Sequence, residues 1–167
     1  MPVPDMRPIK ALRVRWWLRQ GKLAEALGWV QECGLSVDDE PSYLHEYEYL
    51  TLARVAISQY RRERIDSALG QAIGLLARLL ESAEAEERTG SSIEILMVQA
   101  LAYEAKGDLA SAISSLEQAL TLAEPESYIR IFAEAGTPMA QLLQEALTRG
   151  ITRSEERRVG KECRSRW

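Results

Sequence analysis

One histidine, His45, and two cysteines, Cys33 and Cys163, are all that the 167 residues offer for soft metal ligation or proton transfer near neutral pH. A multi-histidine metal site is excluded, and material for acid–base catalysis is scarce. The cysteines lie 130 residues apart without ligand-like spacing, so neither a disulfide framework nor a zinc knuckle is expected. Apolar runs span only a few residues, far short of the about 20 that cross a membrane. The start, Met1-Pro2-Val3-Pro4-Asp5, has no charged leader, apolar stretch or small-residue cleavage site. The expectation is a soluble, cytoplasmic protein that does not engage a membrane. No Gly-x-x-x-x-Gly-Lys-Ser/Thr loop occurs to cradle phosphates, and no strand-like alternation of useful length is present.

The chain is 46% hydrophobic, and its length suits one domain or one run of helical repeats, able to bury roughly 70% of its unfolded surface. Its charge is uneven. Residues 153–167 hold six Lys/Arg and three Asp/Glu, whereas the preceding body holds 15 basic and 22 acidic residues, near −7. The tail, from Arg153 to Trp167, lacks periodicity and resembles an in-frame translation of a sequencing adapter; a natural basic tail is the plainer alternative. Residues 152–167 are therefore set aside as disordered or artefactual, residues 1–7 as an N-terminal extension, and residues 8–151 as the folding unit.

Within that unit apolar residues recur at steps of three and four, the period of helices. Leu109, Ala112, Ile113, Leu116, Ala119, Leu120 and Ala123 share one face, with Asp108 as N-cap. Gly107 ends the preceding helix, which Ser91 or Ser92 opens and which carries Ile93, Leu96, Met97, Ala100, Leu101 and Tyr103. Together they form a hairpin. Gln20-Gly21-Lys22-Leu23-Ala24-Glu25-Ala26-Leu27 matches Lys106-Gly107-Asp108-Leu109-Ala110-Ser111-Ala112-Ile113 at Gly, Leu and both Ala positions. Taking Ala26, Ala68 and Ala112 as equivalent gives steps of 42 and 44 residues. A small Ala early in each second helix lets its backbone approach the first. Helices are expected at 8–20, 22–33, 42–60, 65–84, 91–106, 108–123, 126–135 and 138–149. The segment from Cys33 to Pro41 is expected as a loop, and Ala83 to Gly90 as an exposed joint.

This pattern resembles a tetratricopeptide array. Tyr103, Gly107, Ala112, Leu116 and Ala119 match one unit, Trp17, Gly21, Ala26 and Val30 another, while Tyr60-Arg61-Arg62-Glu63-Arg64 replaces the short Gly turn with a longer connection. The stretch Glu126 to Leu143, with Tyr128, Arg130-Ile131-Phe132, Gly136-Thr137-Pro138-Met139 and Leu142-Leu143, resembles the closing segment of the repeat domain in MalT-like, LuxR-type ATP-dependent transcription regulators. The resemblance implies an all-α fold of helical hairpins in a short right-handed superhelix, and a non-enzymatic fragment of a larger regulator. Such a region receives a small-molecule inducer or a protein partner and takes part in self-association. The resemblance also implies that ATP, as cofactor, and DNA bind to domains absent from this chain. A stand-alone tetratricopeptide-like peptide-binding adaptor is the alternative; a small helical hydrolase would need a nucleophile and base to converge.

Candidate recognition residues are few. Trp16, Trp17, Trp29, Tyr43, Tyr47, Tyr49, Tyr60 and Tyr103 can line an inner face, although packing explains most of them, Trp17 and Tyr103 first. Tyr47 and Tyr49 cannot share one helix face, which makes their helix the best surface candidate, with His45, Tyr47, Tyr49, Arg61 and Arg62 as the effector or partner surface. His45 beside Glu46 and Glu48 also reads as a solvated face, and Cys33 as a small buried thiol. Glu81, Glu84, Glu86 and Glu87 lack the spacing of a calcium loop. Arg7, Lys10, Arg13, Arg15 and Arg19, like Arg61, Arg62 and Arg64, are expected to pair within the chain or with another domain. A body near −7 is a poor nucleic-acid groove, so no direct DNA binding is expected.

Overall fold

The computed structural model describes residues 8–123, 131–132 and 135–149, and among these it is helical without strands. α1 (Ile9–Arg19) opens on Pro8, whose φ of −62° suits an extended residue at a helix start. It is followed by α2 (Leu23–Glu32), a short 3-10 turn (Tyr43–His45), α3 (Glu46–Glu63), α4 (Asp66–Ala85), α5 (Thr89–Lys106) and α6 (Leu109–Ala123). Residues 137–149 form a further helix, α7. None of these helices is long and apolar enough to cross a membrane.

The helices reverse direction through left-handed residues. At the end of α1 Gly21 has φ +72°, and at the end of α5 Gly107 has φ +88°, a region glycine enters without penalty. Beyond each, the next amide reaches back five residues: Lys22 N–H donates to Trp17 O at 2.9 Å and Asp108 N–H to Tyr103 O at 2.9 Å. α4 closes the same way, with Arg88 N–H on Ala83 O at 2.8 Å, but the left-handed residue is Glu87, φ 54°. α3 ends on Arg64, φ 57°. This corrects the expected longer connection at Tyr60–Arg64. Those residues continue the helix to Glu63, and Arg64 makes the tight turn that glycine makes elsewhere.

α1 with α2, α3 with α4 and α5 with α6 form hairpins, and α4 also packs on α5. The first helices meet in succession, α1 on α3 and α3 on α5, and so share one side of the array. Ala26 and Ala112 are fully buried where each second helix enters its hairpin, as the pattern predicts. In α4 the equivalent is Ala72, also fully buried, rather than the half-buried Ala68. Leu69-Gly70-Gln71-Ala72-Ile73 aligns with Leu109-Ala110-Ser111-Ala112-Ile113, so the true steps are 46 and 40 residues. The extra turn at the start of α4 misled the count.

Two apolar clusters result. The first joins α1 to α4 with Ile95, Val98 and Ala102 of α5; the second joins the opposite face of α5, including Ile93, Met97 and Leu101, to α6, Phe132 and α7. α5 is therefore buried on both sides, and the single apolar stripe expected for it is half of the truth. α7 contributes Met139, Leu142 and Ala146, spaced by three and four.

Asp108 caps α6 as expected: it accepts from Ser111 N–H at 3.1 Å and from the Ser111 hydroxyl at 2.7 Å, and these two bonds hold its carboxyl below the usual range. α5, by contrast, opens at Thr89, without a Ser91 or Ser92 cap. Ser91 instead donates to Glu46 at 2.6 Å. The joint near Ala83–Gly90 is exposed at Glu84–Glu87, as expected, but anchored on either side of them. Ala83 is buried, and Arg88 pairs with Glu46, lies 4.9 Å from the centre of the Tyr43 ring and donates to Glu86 at 3.0 Å. Burial works against the Arg88 charge, but Glu46 and Glu86 outweigh it and raise its pKa. The loop from Cys33 is pinned too, by Arg78 on the Val37 carbonyl. Residues 1–7, most of the expected helix 126–135, including Tyr128 and Arg130, and the tail 152–167 lie outside the described residues.

Candidate functional site

A cavity of about 860 Å³ opens on the side shared by α1, α3 and α5, and Ile131 and Ala135–Pro138 close one end of it. Its lining follows helical spacing. On α3, Tyr47, Arg54, Ser58 and Arg61 fall at steps of seven, four and three, with Thr51 filling the gap in the stripe. On α1 the stripe is Leu12, Arg15, Trp16 and Arg19, and on α5 Glu94 and Leu101 lie two turns apart.

Arg15 organises the floor. Its Nη1 donates to Glu94 Oε1 at 2.6 Å, its Nε to Thr51 Oγ1 at 2.9 Å and its Nη2 to the Tyr47 carbonyl at 3.2 Å. The same guanidinium stacks 3.6 Å from the Tyr47 ring centre. The fully buried Thr51 hydroxyl donates in turn to the Tyr47 carbonyl at 2.8 Å. α1, α3 and α5 are thus tied by one side chain.

Arg54 is served less well. Its Nη2 lies 3.7 Å from the same Glu94 Oε1 that Arg15 already holds. Its Nε is buried without a hydrogen-bond partner among the described residues. Burial, and secondarily repulsion from Arg15, pull the guanidinium down to about 10, although Glu94 opposes this. Farther along, Arg61 pairs with Glu104. Among the described residues four arginines and one glutamate therefore line a pocket in a chain whose overall charge is −4.

The structure divides the five residues expected to form a recognition surface. Tyr47 and Arg61 line the cavity. His45 lies outside it, against Glu48 at 2.5 Å. Tyr49 is buried, with its hydroxyl 3.4 Å from Asp39 Oδ2; burial, then the charge and hydrogen bond of Asp39, raise its pKa. Arg62 is exposed and donates to the Gly21 carbonyl at 3.4 Å. Among the other aromatics, Trp16 is 54% exposed at the cavity, Trp29 and Tyr60 are core, Trp17 and Tyr103 pack against the two clusters, and Tyr43 is exposed.

The expectation that basic residues pair within the chain holds for Arg15 with Glu94 and Arg61 with Glu104. Arg54, Thr51 and Glu94 were not singled out by the sequence. A signal for Arg54 exists all the same: it is the lone charge in Leu50-Thr51-Leu52-Ala53-Arg54-Val55-Ala56-Ile57, where an exposed face would carry more.

A family model described as the MalT-like TPR region matches residues 1–149. Neither a curated protein nor a solved structure matched the chain.

Proposed function

The chain belongs to the MalT-like TPR region family, and from that premise we propose that it is the non-enzymatic signal-sensing and protein-interaction domain of a LuxR/MalT-type transcriptional regulator. The observation that supports this most is the shared wall of the cavity, built from three successive hairpins and the segment before α7. An inducer or partner held there touches all of them at once. It favours one mutual arrangement of hairpins by binding it more tightly than another, and that differential affinity is the signal. ATP and DNA are handled by other domains of such a regulator. Catalysis has no part in the reading: His45 and Cys33 both lie outside the cavity lining, and Cys33 Sγ is turned to the Val30 carbonyl at 3.3 Å.

The intact reading frame tests the proposal. An upstream phosphate loop and a downstream helix-turn-helix are expected. In that intact regulator Tyr47→Ala should abolish the response to inducer while leaving operator affinity unchanged. A frame with neither motif would favour the free-standing adaptor, and an unaltered response would remove the cavity from the mechanism.

A further inference from the structure

The cavity differs from a merely apolar groove in how its charge is balanced. Among the described residues Glu94 is the one carboxylate in the lining, and it serves two guanidiniums, at 2.6 Å from Arg15 and 3.7 Å from Arg54. Arg61 has a separate partner in Glu104. Arg15 has its donors distributed over Glu94, Thr51 and Tyr47. Arg54 is left with a shared, longer contact and a buried Nε that no described residue accepts from. A guanidinium is a planar fork matched to two oxygens of a carboxylate or phosphate, and it cannot shed its charge at neutral pH. Around it stand Leu12, Ile57, Leu101 and Ile131, and the exposed ring of Trp16. The volume of about 860 Å³ lies within the roughly 300–1,000 Å³ of small-molecule sites.

We propose that the cavity binds a small organic anion, with its carboxylate or phosphate oxygens on Arg54 and its apolar or aromatic body between Trp16 and the aliphatic wall. The anion supplies the negative charge that Glu94 divides between two arginines. Because its two ends meet α3 and α1, while Glu94 answers from α5, the ligand's charge sets the balance among the three helices. This specifies the ligand class for the cavity proposed above as the sensing site, and it rests on that reading.

Isothermal titration of the full chain, followed in parallel by tryptophan fluorescence, uses four probes: phenylacetate, phenyl phosphate, the uncharged 2-phenylethanol and hexaglutamate. Phenylacetate or phenyl phosphate should bind at least ten times more tightly than 2-phenylethanol, and the tighter of the two identifies the anion. Arg54→Met should lose at least ten-fold of that affinity, Arg54→Lys should keep part of it, and Arg62→Met, outside the cavity, should keep all of it. Binding that persists in Arg54→Met overturns the assignment, as does silence of both small anions. Equal binding of 2-phenylethanol also overturns it but leaves the cavity as a ligand site. Binding of hexaglutamate alone replaces the small anion with an acidic peptide. The response of the intact regulator to Tyr47→Ala judges the sensing role separately.

Discussion

Arg54→Met removes a guanidinium that burial, reinforced by the charge of Arg15, pulls down to about 10, and the domain should melt higher for it. At 1.36 kcal/mol per pH unit the displacement corresponds to at most about 3 kcal/mol spent keeping Arg54 charged at neutral pH. Solvent still reaches 23% of the side chain, and methionine forfeits the contact with Glu94, so a net gain of about 1–2 kcal/mol is expected. At about 2–4 °C per kcal/mol for a domain of this size, Tm should rise by roughly 2–8 °C. Thermal unfolding followed by circular dichroism at pH 7 reads this directly. The sign with pH is fixed as well. The folded value lies below the unfolded one, so the penalty is full below about 10, shrinks as pH rises beyond it and vanishes above the unfolded value. The difference between variant and wild type should therefore be constant from pH 6 to 9 and close above about 10. An unchanged or lower Tm at pH 7 would refute the claim that Arg54 is short of compensating charge.

Glu94→Gln leaves Arg15 and Arg54 together without their carboxylate and should cost about 2–4 kcal/mol in denaturant unfolding, since removing one partner of a partly buried pair strands the others. Arg64→Gly and Glu87→Gly each place glycine at a left-handed position now held by a side chain, and each should stabilise by about 1 kcal/mol, read as a rise in the urea midpoint with an unchanged slope. Ala112→Leu should cost about 1–3 kcal/mol and lower Tm, because the α5–α6 contact at this fully buried residue has no room for three more carbons. Asp108→Ala should lower Tm at neutral pH by losing the α6 cap. Because the Asp108 carboxyl is held below its ordinary range, the gap to wild type should persist above about pH 4 and close only as pH falls through the lowered pKa.

The repeat was legible because its signals are local. Leu-x-x-Ala with Ile or Leu next recurs wherever a second helix starts, and Gly21 and Gly107 announce turns that the backbone then makes. The middle hairpin was misread where it breaks these rules. Arg64 does in a left-handed turn what glycine does elsewhere, and the extra turn of α4 shifts the small residue from Ala68 to Ala72. Asp108 could be read as a cap because Ser111 stands three residues on, whereas α5 starts on Arg88 without any side-chain cap. The candidate site was legible only in fragments. Tyr47 and Arg61 lie on one α3 stripe, but their partners, Arg15 for Tyr47 and Glu104 for Arg61, are 32 and 43 residues away, and no local pattern connects them. Tyr49, two residues from Tyr47, falls on the opposite face and belongs to the core.

The position of Glu94 gives the cavity its leverage. α5 carries Glu94 and Leu101 on the cavity side, and its remaining faces belong one to each apolar cluster, Ile95, Val98 and Ala102 to the first and Ile93, Met97 and Ala100 to the second. Close-packed interiors transmit small shifts instead of absorbing them. An anion on Arg54 lessens the demand on Glu94, and a change in the pull on Glu94 acts on a helix with buried side chains in both clusters. Gly136, at the far end of the cavity, leads into α7, whose Thr137 and Pro138 also line it and which the second cluster holds through Met139 and Leu142. An arginine whose replacement by methionine should raise stability is therefore consistent with selection for a response, because the charge that Glu94 divides between Arg15 and Arg54 is one that a ligand can supplement.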